Sequence, residues 1–402
     1  MSLSPRRVRR CAAALGTGVA LLLAAGCGDF SSAPPSWSVQ PSLTAPAATP
    51  VVPTPTLPGS TTTPPSGSGG STSSSTTGPP PDPCRPPDPS VIAACLKDPW
   101  GLVPLADGMS ALVGERTTGR ILLAVYQRPP VLLATVPGVD GTGDGGLLGL
   151  AVSPSYAEDG LVYAFVTTAT DNRVVRIARG EKPKAILTGI PKGRTHNGGV
   201  LAFNGPYLFV ATGDAGRPTL AGDARSLAGK VLRLDEFGKP VGGTLTPGSP
   251  VFATGFTAPT GMCRLPTGAL AVVDHRATAD VLLPLSAGKS YTRLASGDAA
   301  WTWRASDGGA ADCASTNGVL ASTSLDRQRL TGIRMTPTGA FTGSPEALLE
   351  RRYGRLRTVE AGPRNLFWVT TANRDGHGRP VASDDRVVVV PSGGGGGGGG
   401  PD

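Results

Sequence analysis

From about residue 84 to residue 392 the chain runs in short apolar stretches of Val, Leu, Ile and Phe, cut by frequent Gly and Pro. Such stretches predict strands, and nowhere does the spacing of a long amphipathic helix emerge. The stretches recur as a larger unit: a turn residue, an apolar strand, a polar loop and usually a second apolar strand. The copies read GMSALVGERTTGRILLAV, DGLVYAFVTTATDNRVVRI, GPYLFVATGDAGRP, TGALAVVDHRATADVLLPL, NGVLASTSLDRQRLTGIRM and RNLFWVTTANRDGHGRP. Aligned on Leu112, Leu161, Leu208, Leu270, Leu320 and Leu366, they follow one another at 49, 47, 62, 50 and 46 residues. A unit of that length holds one four-stranded sheet with its turns, and sheets repeated radially protect their edges by closing into a wheel. The expected fold is all-β, a six-bladed β-propeller of four-stranded blades. A double β-sandwich gives no reason for six regular copies.

Closure brings equivalent loops to one face. The loops carrying Glu115 and Arg116, Asp171 and Asn172, Asp214 and Arg217, Asp274 to Arg276, Asp326 and Arg327, and Asn373 to Asp375 should then ring a polar basin around the axis. Set against this, a loop residue is often polar merely because it faces water.

The flanks change where that basin sits. Arg6, Arg7, Arg9 and Arg10 precede the apolar run CAAALGTGVALLLAAG, which ends in small residues before Cys27. This pattern predicts a lipoprotein signal peptide over residues 1–26, with Cys27 as the acylated (palmitate-type) first residue of the mature chain. Residues 27–83 are dominated by Ser, Thr, Pro, Gly and Ala and predict a disordered tether, and residues 393–402 a Gly-rich tail. The folded domain is expected over 84–392, extracytoplasmic, anchored to the membrane by lipid and monomeric. Of the formal charge of +8, four positive charges belong to the signal peptide. No cluster of Lys and Arg with interleaved aromatics points to nucleic acid.

With Cys11 in the signal and Cys27 lipidated, four cysteines remain. An even number in an exported chain suggests two disulfides, and the simplest of the three connectivities joins Cys84 to Cys95 and Cys263 to Cys313. Neither pair has the short spacing of a zinc knuckle.

Several stretches, taken in order, carry a resemblance: GDGGLLGLAVSPSYAEDGLVYAFVTT, HNGGVLAFNGPYLFVATGD, SLAGKVLRLDEFGKP and GRLRTVEAGPRNLFWVTTANRDG. They are similar to successive signatures of the soluble glucose and sorbosone dehydrogenases that depend on pyrroloquinoline quinone (PQQ), which are six-bladed propellers. The tether and lipobox resemble those of LppZ-type envelope lipoproteins of actinobacteria. The resemblance implies that His196 takes the proton from a sugar hydroxyl while hydride passes to the quinone. A neutral imidazole titrates near working pH and suits that task. It also implies that Arg355 and Arg357, two apart on a predicted strand, hold the cofactor, and guanidinium groups suit its carboxylates.

Departures from the family pattern fall at the cofactor. Asp144 stands where the family has a glutamine, putting a negative charge beside an anionic ligand. Thr195 replaces an acid before the histidine, Thr219 replaces a cofactor-contacting glutamine, and Thr257-Ala258 replaces an Arg-Asn pair. DHRATAD stands at the calcium-binding loop, where Arg276 would repel a cation, so calcium is doubtful. GTGDGG, residues 141 to 146, matches a dinucleotide pattern but is followed by a strand rather than a helix. Two functions remain: a PQQ-dependent sugar dehydrogenase, or a propeller that binds a glycan, small ligand or protein without redox chemistry. PQQ is a possible cofactor, with binding expected to be weak or lost because the Asp144 charge opposes the anionic ligand.

Overall fold

The computed structural model describes residues 82–393. The segments expected as signal peptide, lipidated Cys27 and most of the expected tether and tail lie outside the described residues. Among the described residues there are six sheets of four antiparallel strands, and helices are limited to single turns such as Pro218–Gly222. The innermost strands are Pro99–Pro104, Leu147–Val152, Gly198–Asn204, Ala258–Arg264, Asp312–Thr316 and Leu356–Gly362, and each packs beside the next until the last meets the first. That closed ring is a six-bladed propeller, with blades numbered 1 to 6 in that order.

Alternation along the second strand of each blade explains why these strands are apolar on both sides. In blade 1, Ala111 and Val113 enter a cluster shared with blade 6, while Leu112 enters one shared with blade 2. In blade 2, Val162, Ala164 and Val166 face blade 1, and Tyr163 and Phe165 face blade 3. Successive side chains point to opposite faces of a strand, so a blade between two others must be apolar at both parities. The core is therefore six wedges between blades. Near the axis the wedges narrow, and a side chain at Gly149 would collide with the Gly199 carbonyl of the adjacent inner strand.

The ring closes through both ends of the domain. Val91–Ala93 forms the outermost strand of blade 6, with Val91 opposite Val388. Both expected disulfides are present, Cys84–Cys95 and Cys263–Cys313. Cys313 lies in the inner strand Asp312–Thr316 rather than in a loop, and Cys263 lies in the inner strand of blade 4. Their bridge thus ties neighbouring blades beside the axis instead of clamping a loop over one blade. On the chain-entropy account a closed loop of 50 residues contributes about 4 kcal/mol. The double variant Cys263→Ser, Cys313→Ser is expected to lose about that much in urea unfolding. A difference below about 1 kcal/mol would show that the blades hold this junction without it.

Candidate functional site

All six inner strands start at the same end of the axis, where their first residues surround a cavity of about 430 Å³, within the usual size of a ligand pocket. Blade 1 contributes Asp98 and Trp100, blade 2 Asp144, blade 3 Thr195 and His196, blade 4 Ala258 and His275, and blade 5 Asp312. Blade 6 adds Arg355, Arg357, Glu360, Asp375 and His377.

His196 is held in the left-handed backbone region, at φ 57°. That conformation costs energy for a side-chain-bearing residue and persists only where surrounding bonds impose it. Asp144 Oδ2 accepts the His196 N–H at 3.0 Å, and the His196 carbonyl accepts the Ala215 N–H at 3.0 Å. Buried Asn197 braces the same turn: its Oδ1 accepts from Gly193 N and Asn172 Nδ2, and its Nδ2 donates to Gly193 O. On the ring, Nδ1 lies 2.9 Å from Oδ1 of Asp214, which is 1% exposed. When Nδ1 donates to that carboxylate, Nε2 is left with its lone pair, the state a general base requires.

Arg355 and Arg357 both line the cavity, and a bulge between Leu356 and Val359 helps turn this strand's polar side chains to the axis. Arg355 is already paired, through Nε to Asp375 at 2.9 Å and Nη1 to Asp326 at 2.8 Å. Arg357 lies over the Trp100 ring at 3.8 Å, and its buried Nε has no hydrogen-bond partner. Burial lowers its pKa to about 10, which leaves it cationic at neutral pH. Arg116, by contrast, is consumed by structure. Its Nε meets Asp98 at 2.6 Å, and Nη1 donates to the carbonyls of Gly141, Gly143 and Gly145, so the GTGDGG loop is a wrapping for a guanidinium.

Two acids lie deeper. Asp312 accepts the Cys313 and Val359 N–H groups, and burial pushes its pKa up to about 8. Glu360 is raised by burial and then by Asp312, and it also lines a second cavity of about 310 Å³ at the other end of the inner strands.

The basin expected from sequence needs correction. Of its loop residues, Arg116, His275 and Asp375 line the cavity, and Asp214 acts one bond behind it through His196. Asp171, Asn172, Asp274 and Arg276 instead tie backbone and neighbouring side chains. The first residues of the inner strands take the places expected for the hairpin loops, because those strands are nearest the axis. Thr219 is exposed on the short helix Pro218–Gly222 and does not line the cavity. Trp100, Asp98, Asp312, Glu360 and His377 were not singled out from sequence; an isolated Glu in the apolar run TVEAG is the one signal that pointed inward.

Against known proteins, the profile of the Glucose / Sorbosone dehydrogenase family matches residues 96–292. The PQQ-bound aldose sugar dehydrogenase of Streptomyces coelicolor is 35% identical, with 75% of this chain covering 96% of that one at a TM-score of 0.70. The chain belongs to the glucose/sorbosone dehydrogenase family. A second member, a putative oxidoreductase (glucose dehydrogenase) of Thermus thermophilus, is 33% identical, covers 75% of this chain and 98% of its own, and has a TM-score of 0.67. The curated aldose sugar dehydrogenase YliI of Escherichia coli is 28% identical over 158 residues, which is 36% of this chain and 43% of that relative's length. Within the family's fold, the cavity offers one unsatisfied guanidinium beside an indole plane, which fits a planar anionic cofactor. Among the described residues no three His, Cys, Asp or Glu side chains converge as metal ligands.

Proposed function

We propose that this protein is an extracytoplasmic sugar dehydrogenase of the PQQ-dependent type, tethered through a lipid on Cys27. The observation that carries the reading is the His196–Asp214 pair opening on the cavity that also holds Arg357. Two disulfides support an oxidising compartment. Asp214 orients the imidazole, Nε2 accepts the proton of the sugar hydroxyl, and the carbon that bore it becomes a carbonyl as hydride departs. When bound, PQQ supplies the two-electron acceptor for that hydride. Arg357 and Trp100 would hold the cofactor's acidic, planar body, while Arg355 braces the wall through Asp375.

Asp144 favours the second reading, a propeller that binds without redox chemistry, because its carboxylate lines the cavity. It also anchors His196, so removing its charge must keep an acceptor. Titration of the purified mature protein with PQQ, with and without calcium, tests both. Binding is expected to perturb the cofactor's absorbance, and Asp144→Asn, which retains an oxygen for the His196 N–H, is expected to bind at least about tenfold tighter through lost repulsion. If wild type and variant are both blind to PQQ, the dehydrogenase reading fails and the binding reading stands.

A further inference from the structure

A second histidine–carboxylate pair shares the cavity and has no part in the chemistry above. His275 ends the strand Leu270–His275 of blade 4 and lines the same cavity as His196. Its Nδ1 lies 2.5 Å from Oδ1 of Asp280, a carboxylate 5% exposed whose other oxygen accepts the Ala310 N–H at 2.6 Å. The residues on either side are pinned. Asp274 accepts the N–H groups of Thr257 and Ala258, and Arg276 donates to Asp274 and to the carbonyls of Gly255 and Tyr291. His275 itself lines the cavity, and 59% of its side chain is exposed. Blades 3 and 4 present His196 and His275, while Arg355, Arg357 and Arg116, with the third histidine His377, stand on blades 6 and 1, across the axis.

We propose that His275 is a substrate-positioning residue, donating a hydrogen bond from Nε2 to an oxygen of the sugar whose hydroxyl His196 deprotonates. The inference rests on the dehydrogenase reading. With Nδ1 committed to Asp280, Nε2 donates only when the ring is an imidazolium. The hydrogen bond to Asp280 raises the His275 pKa, burial opposes it, and the charges of Asp280, Asp274 and Asp144 raise it further. A raised pKa extends the cation to higher pH, and the donor disappears as pH climbs through the raised value. Sugar affinity should therefore fall with rising pH, and should fall at lower pH in Asp280→Asn.

The chain has three histidines, so ring spectra by nitrogen–proton NMR resolve His275 directly. The protein is loaded with reduced PQQ, which stops turnover, and titrated with D-glucose, D-galactose and D-xylose. At least one sugar is expected to shift the ring signals of His275 together with those of His196. His275→Gln is expected to keep the cofactor absorbance change, weaken that sugar about tenfold, and raise KM by a similar factor with kcat near wild type. Sugar-induced shifts confined to His196, no response at His275 to any of the three sugars, or unchanged affinity in His275→Gln overturns the inference and leaves the dehydrogenase reading intact. Failure of wild type to perturb PQQ absorbance overturns that reading, and this inference with it.

Discussion

Replacing His196 with asparagine is expected to cut sugar-dependent dye reduction by about a hundredfold to ten-thousandfold, the usual worth of a positioned general base. Asparagine is chosen because position 196 sits at φ 57°, a conformation that asparagine tolerates better than alanine. The Asp144 bond to the backbone N–H survives the change, so the loop should stay in place. Asp214→Asn is expected to do nearly as much harm, since an amide in place of the carboxylate no longer stabilises the imidazolium that forms as the proton arrives. Steady-state dye assays with PQQ supplied in excess measure both, and circular dichroism melts check the fold. Full activity in His196→Asn would show that His196 is not the base and that another group takes the proton.

The second large effect is a loss of stability as pH rises. Asp312 has a folded-state pKa of about 8 through burial, far above its ordinary value of 3.8, and Glu360 is raised in the same direction. Between those limits the folded state binds more protons than the unfolded state, so stability falls with each step upward in pH. Asp274 and Asp385, both raised to about 6 by burial, add to the slope at its lower end. Lys230, lowered to about 8 by burial, acts in the opposite sense above that value. Urea midpoints between about pH 6.5 and 8 therefore sample the two axial acids together with His275, whose raised pKa adds a loss of the same sign, and the acids' share is read from the difference between wild type and a variant lacking one of them. The wild type is expected to lose stability across that window by more than about 1 kcal/mol, and Glu360→Gln should flatten the decline. Glu360 is the cleaner choice because both oxygens of Asp312 accept backbone N–H groups that an asparagine cannot serve equally. Equal midpoints across the window in wild type would mean that water in the two axial cavities solvates these acids fully.

Much of the fold was legible because a blade repeats its own grammar. The six aligned leucines fall in, or directly before, the second strand of each blade, where apolar residues serve two wedges at once. The seam strand Val91–Ala93 was not legible, since a three-residue strand carries no period and its partner lies at the far end of the domain. In the site, His196, Asp144, Arg355 and Arg357 reach the cavity as motif position suggested. What sequence could not supply was the division of labour. Arg357 keeps an unpartnered Nε whereas Arg116 is bound by three carbonyls, although both are arginines near glycines. The difference depends on which loop curls around which guanidinium. Asp214 likewise reads as one more loop acid until the fold sets it against the His196 ring.

The pairing of Val91 with Val388 also sets a timetable. A chain emerging from its N-terminus delivers one half of the seam first and the other half almost last, so five blades can condense while the wheel still stands open. Contacts so distant in sequence form slowly. Until they form, the Val387–Pro391 strand presents a bare edge of valines, the feature most apt to recruit a foreign strand. The domain's vulnerable moment is therefore its final one, after nearly all of its sequence has been committed.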